Sequence, residues 1–129
     1  MAAPDELPNE LRAFLYSCID AVEQVEILVL LRRTESGLTT RAVAAELGVP
    51  DPAARHHLET LAARGLLQPV IGQEVSYRYA PKTTHLRRYG DQLLDYYRSS
   101  RTAILRLIAS SPRGSVKRFA NAFKLRDPE

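Results

Sequence analysis

Apolar residues recur at helical spacing from the start of the chain. Leu7, Leu11, Phe14, Leu15 and Cys18 fall on one face, and Pro8 is tolerable only in a first turn, so a helix is predicted over about 7–18. Asp20 followed by Glu23 has the spacing of a capping box, in which each side chain satisfies a free N–H at a helix start. The second helix then runs to about Thr34, with Arg32 and Arg33 at its negative end and Gly37 just beyond. Its stretch "VEILVLL" is nearly continuous in apolar character, which points to burial on two sides.

Two short helices are predicted next, at about 40–47 and 52–64, joined by Gly48-Val49-Pro50-Asp51. Thr39 or Thr40 can cap the first, and Asp51 before Pro52 is a strong start for the second. After Gly65 the period changes from helical to alternating. "LLQPVIG" and "EVSYRYA", separated by Gly72-Gln73, read as a hairpin with Val75, Tyr77 and Tyr79 on its packed face. Pro69 belongs where no ladder hydrogen bond is needed. A single long helix is predicted over about 85–110, roughly 39 Å at 1.5 Å per residue. A last short helix covers about 115–125.

Composition adds little to this picture until charge is divided along the chain. At 129 residues and 45% apolar content the sequence fits one globular domain. No run approaches the length of a membrane span, and the first residues lack a secretory pattern. The lone Cys18 excludes an internal disulfide framework and fits a reducing, cytoplasmic setting. The net charge of +3 hides an asymmetry: residues 1–65 hold six Arg against ten acids, and residues 66–129 hold twelve Lys or Arg against five. A basic C-terminal half suits a polyanionic partner.

The order helix, helix, helix-turn-helix, two-stranded wing, long helix resembles the winged helix-turn-helix. Val43, Ala44, Leu47 and Val49 match the buried positions of the first motif helix and its turn. Ala54, Leu58 and Leu61 match the inward face of the second, "ARGLL" leads into the wing, and "YRYAP" resembles its returning strand. The chain is similar over about residues 36–82 to bacterial transcriptional regulators of the ArsR and MarR type. That resemblance implies a mainly α fold with a small β-hairpin, flanked by N-terminal helices (7–34), a long C-terminal helix (83–111) and a basic amphipathic tail (113–129).

It also implies that helix 52–64 reads double-stranded DNA, its outward face presenting Ala53, Arg55, His56, Glu59 and Thr60. Arg55 can offer a bidentate fork to guanine. The candidate DNA contacts are Thr40, Arg41, Arg55, His56, Thr60, Gln73 and Arg78. Two carboxylates on this helix raise a difficulty. Asp51 reads as a cap, and Glu59 lies two turns on, where helices usually leave the groove, and can also accept from a cytosine amine, so neither is incompatible with DNA. Residues 37–67 nevertheless balance three Arg against three acids, so the motif alone attracts phosphate weakly. The missing charge must come from the wing, from residues 82–126 or from a second copy.

Dimerising winged-helix regulators often pair through terminal helices, and the resemblance implies a homodimer. Leu93, Tyr97 and Ile104 lie on a seam of alternating three- and four-residue spacing in the long helix, although the same stripe could pack on the chain's own first two helices. In the tail, Phe119 and Phe123 share a face ringed by basic residues, a pattern that can dock on its own dimer, a partner protein, DNA or an anionic membrane. The alternative function is therefore a protein-interaction or adaptor module docking through that tail. His56 and His57 are adjacent and do not chelate, so no metal is expected. No cofactor motif and no catalytic constellation emerges, and an enzyme is not expected.

Overall fold

The computed structural model describes residues 7–111. The expected tail helix, with Phe119 and Phe123, falls outside the described residues. Six helices and a small sheet form in the order α1 (Asn9–Cys18), α2 (Val22–Arg32), β1 (Leu38–Thr39), α3 (Thr40–Leu47), α4 (Asp51–Ala63), β2 (Leu67–Val70), β3 (Ser76–Tyr79), α5 (Thr84–Ser99) and α6 (Arg101–Ser110).

The second helix is the hub of the packing, touching α3, α4, α5 and β3. Its residues Val25, Ile27, Leu28, Leu30 and Leu31 are all buried, as the unbroken apolar run implies. The capping box does not form. Helix α2 starts one residue later, with Ala21 at its N-cap, because both groups of Asp20 are engaged elsewhere. Its N–H donates to Gln24 Oε1 at 2.8 Å, and its carboxylate pairs with Arg64 at 3.1 Å.

The helix-turn-helix closes as its sequence dictates. Thr39 caps α3, its hydroxyl accepting from the Ala42 N–H at 3.1 Å. Gly48 ends α3 at φ 71°, a left-handed conformation that costs glycine nothing and a side-chain-bearing residue about 1 kcal/mol or more. Asp51 differs from its expected role. Pro50 occupies the N-cap and Asp51 is the first helical residue, with no side-chain cap hydrogen bond. Proline at the second helical position, where no N–H is required, still favours the start. The Asp51 carboxylate remains exposed beside the positive end of the helix.

The wing has three strands, in the order β1-β3-β2, all antiparallel. Strand β1, two residues long, has too little alternation to be read from sequence. Pro69 lies on β2, an edge strand, where half of the backbone N–H groups have no ladder partner to lose. Residues 71–75 form a wider connection than Gly72-Gln73 alone, which leaves Val75 exposed while Tyr77 is buried.

The single long helix is broken at Ser100, whose backbone (φ −140°, ψ 55°) leaves the helical region. Two adjacent serines stand at the break, and the Ser99 hydroxyl bonds back to the carbonyls of Asp95 and Tyr96. The change of direction brings Arg101 Nε to the Tyr97 hydroxyl at 2.9 Å and its terminal nitrogen to Glu26 at 3.0 Å. It also turns Ala103, Ile104 and Ile108 into the core. Leu93 and Ile104 are therefore fully buried within one chain, and Tyr97 nearly so. These seam residues pack on the chain itself.

Candidate nucleic-acid interface

Helix α4 is held from behind by apolar packing, and by polar ties at its middle and its C-terminal end. Ala54, Leu58 and Leu61 lie fully buried beneath it. Gln24, a fully buried polar side chain, accepts from the Asp20 N–H and sets its Nε2 3.2 Å from His57 Nδ1. At the far end Arg64 donates to the Cys18 carbonyl at 2.7 Å and to the Asp20 carboxylate. The end of α1, the connection after it and the first turn of α2, through Cys18, Asp20 and Gln24, thus hold α4 at His57 and at Arg64, about two helical turns apart. His57 points back into the protein, while its neighbour His56 is exposed.

On the outward side, α4, the start of α3 and the wing enclose a cleft of about 290 Å³ lined by Thr40, Arg41, Asp51, Arg55, Glu59, Glu74, Val75 and Tyr77. Asp51, Arg55 and Glu59 are four residues apart and so form one line along α4. Tyr77 is the floor. Burial raises its phenol pKa above the ordinary value, Glu59 raises it further, and Arg55 pulls against both. Among the described residues, neither Arg41 nor Arg55 takes part in an ion pair. Their guanidinium groups are exposed and uncommitted, although the cleft as a whole carries two cations against three carboxylates.

The expected contact residues divide into three places. Thr40, Arg41 and Arg55 come together in the cleft. His56 is exposed, and Thr60 half-buried, on α4 outside it, and Gln73 is exposed at the wing tip. Arg78 alternates with Tyr77 along β3 and so points to the other side of the sheet, into a groove with Arg32, Glu35, Arg87, Asp91 and Asp95. The wing tip itself is apolar: Ile71 is 78% exposed, beside Val70 and Val75, and no Lys or Arg occurs between Gly65 and Tyr77.

Sequence reasoning missed Glu74 and Tyr77 as lining of the cleft, and the anchors Gln24 and Arg64. Alternation in "EVSYRY" had already set Tyr77 on one face, but not which element that face meets. A lone glutamine in an apolar helix was the available sign for Gln24. Among the described residues, no three His, Cys, Asp or Glu side chains gather as metal ligands, and no helix is long and apolar enough to cross a membrane.

A helix-turn-helix followed by a β-wing, with the second motif helix exposed beside it, defines the winged helix-turn-helix fold. Residues 25–70 match the family described as the IclR helix-turn-helix domain, from α2 through the end of β2. No curated protein matches the chain. Solved structures that share the fold include two bacterial proteins. One is RV1404 from Mycobacterium tuberculosis, 19% identical with a TM-score of 0.51, covering 93% of this chain and 86% of its own. The other is a transcriptional regulator of the MarR family from Rhodococcus sp. RHA1, 21% identical with a TM-score of 0.54, covering 88% of this chain and 79% of its own.

Proposed function

We propose that the protein regulates transcription as a dimer that reads duplex DNA with α4 and the adjoining wing. The observation that carries this reading is the pair Arg41 and Arg55, exposed and without an ion pair among the described residues, lining a cleft beside the anchored α4. A major groove admits one helix, whose N-terminal half reaches base edges, and Arg55 stands in that half. Thr40 and Arg41 hold phosphate at the start of α3; His56, Thr60 and Gln73 make flanking contacts; Arg78 meets backbone only where the duplex extends past the wing. Residues 7–111 act as one unit, the N-terminal helices and α5–α6 fixing the attitude of the reading helix. The near-neutral motif supplies little phosphate attraction, and a second copy doubles it. Since Leu93, Tyr97 and Ile104 pack within the chain, pairing uses the half-buried Tyr96, Leu105 and Leu107 instead.

The test is a binding selection on sheared genomic DNA at near-physiological salt, using the full chain. Enrichment of a roughly palindromic sequence supports a dimeric regulator. Retention without enrichment rejects sequence-specific reading, and no retention rejects DNA binding. Arg55→Ala should then cost about 1–3 kcal/mol at the selected site and relax one position.

A further inference from the structure

A carboxylate in the middle of a reading face demands an explanation that phosphate binding cannot give. Glu59 lines the same cleft as Arg55, one helical turn further along α4, and both face Tyr77 of the wing. Such a spacing usually allows an intrahelical ion pair. None forms here, and Glu59 is exposed. The other charges of the cleft, Arg41 and Arg55 against Asp51 and Glu74, balance and leave no net cation to offset a further carboxylate, so Glu59 cannot approach the DNA backbone without repulsion. What remains for it in a major groove is a base edge that donates.

The four bases differ sharply in what they offer such a group. Guanine presents two acceptors, and thymine an acceptor and a methyl group. Adenine sets an acceptor next to its amine, whereas cytosine presents an amine alone. A carboxylate only accepts, so the adenine N7 opposes it and cytosine does not. Four residues of helix advance roughly 6 Å, and base pairs repeat every ~3.4 Å. We propose that Glu59 determines base specificity by accepting a hydrogen bond from the cytosine N4 amine, one to two base pairs from a guanine held by Arg55. Asp51 lies one turn the other way on a shorter side chain, beside the free N–H groups of the helix start, and does not share this role.

This inference rests on the DNA-reading function proposed above, and one experiment separates the two. Full-length wild type, Glu59→Gln and Glu59→Ala are each taken through selection on a randomised duplex, with thermal melting to verify folding; an exposed helix position tolerates both changes. Wild type selects cytosine one or two positions from the guanine that Arg55 requires. Glu59→Gln moves that preference to adenine, because an amide can pair with both N6 and N7. Glu59→Ala loses roughly 5- to 150-fold discrimination there and keeps the guanine. If wild type selects an operator and both variants retain its cytosine unchanged, the role of Glu59 is overturned and DNA reading stands. If wild type selects no sequence, both fall.

Discussion

Substituting Gly90 with alanine should change stability in opposite directions depending on one hydroxyl group. Gly90 is buried inside α5, and a Cβ placed there would lie 2.7 Å from the Tyr79 hydroxyl oxygen, 3.7 Å from Tyr79 Cζ and 3.8 Å from Leu66 Cδ2. Only the first of these contacts is too close. The Tyr79 hydroxyl donates to Asp91 at 2.8 Å, tying the returning wing strand to α5. A tyrosine ring is rigid, so its oxygen can retreat from the new methyl only by swinging the ring away from Asp91. A hydrogen bond to a charged group contributes about 1.5–3 kcal/mol, whereas glycine to alanine in a helix gains about 1 kcal/mol. Gly90→Ala should therefore destabilise the wild type by about 0.5–2 kcal/mol. In a Tyr79→Phe background the clashing atom is gone and the remaining contacts are ordinary. There Gly90→Ala should stabilise by about 1 kcal/mol. Urea unfolding followed by circular dichroism on the four proteins gives both values and a coupling energy of about 1.5–3 kcal/mol. The same sign for Gly90→Ala in both backgrounds would refute the assignment of Tyr79 as the obstacle.

Arg64→Ala should cost about 1–3 kcal/mol, a range discounted because the Arg64 and Asp20 side chains keep 24% and 11% exposure; a cycle with Asp20→Asn measures the coupling, and additivity would remove the ion pair from the account. Gln24→Leu should lower stability by about 1–3 kcal/mol despite its apolar surroundings, because the Asp20 N–H loses its acceptor; an unchanged urea midpoint would contradict this. Leu58→Ala on the inward face of α4 should cost about 2–5 kcal/mol, read in the same assay. Burial first, and then acceptance by Asp91, hold the Tyr79 phenol above its ordinary pKa; Tyr77 and Tyr97 are raised as well, chiefly by burial. A raised folded-state pKa favours the fold fully below the unfolded value near 10 and loses that contribution as pH climbs toward the folded value. Stability should thus fall above about pH 10, less steeply in Tyr79→Phe, and an equal slope in that variant would exclude Tyr79 as a source.

Much of the fold could be read from period and punctuation. Helices α3 and α4 lie within a residue of their expected bounds, since Thr39, Gly48, Pro52 and Gly65 are local signals whose physics involves only neighbouring backbone. The inward face of α4 was equally legible, because Ala54, Leu58 and Leu61 repeat at helical spacing. The candidate site was legible in part. Thr40, Arg41 and Arg55 do converge, whereas Arg78 lies on the other side of the sheet, a difference fixed by which face of β3 meets the helices.

The tertiary structure decided what spacing leaves degenerate. Asp20 and Glu23 had the correct separation for a capping box, but Arg64, forty-four residues further on, claims the Asp20 carboxylate, and a capping signal cannot register so distant a partner. The stripe from Leu93 to Ile104 was compatible with packing on a second chain or on its own. The break at Ser100 and the Arg101 contacts with Tyr97 and Glu26 turned it inward. Sequence by itself determined most of the helices, the hairpin and their order, because those follow from local backbone preference and periodic burial; the two-residue β1 and the break at Ser100 escaped it. Only the tertiary structure decided which charges meet, which hydroxyl fills the space at Gly90, and that Glu59 shares a cleft with Arg55, because long-range contact is set by how the elements pack.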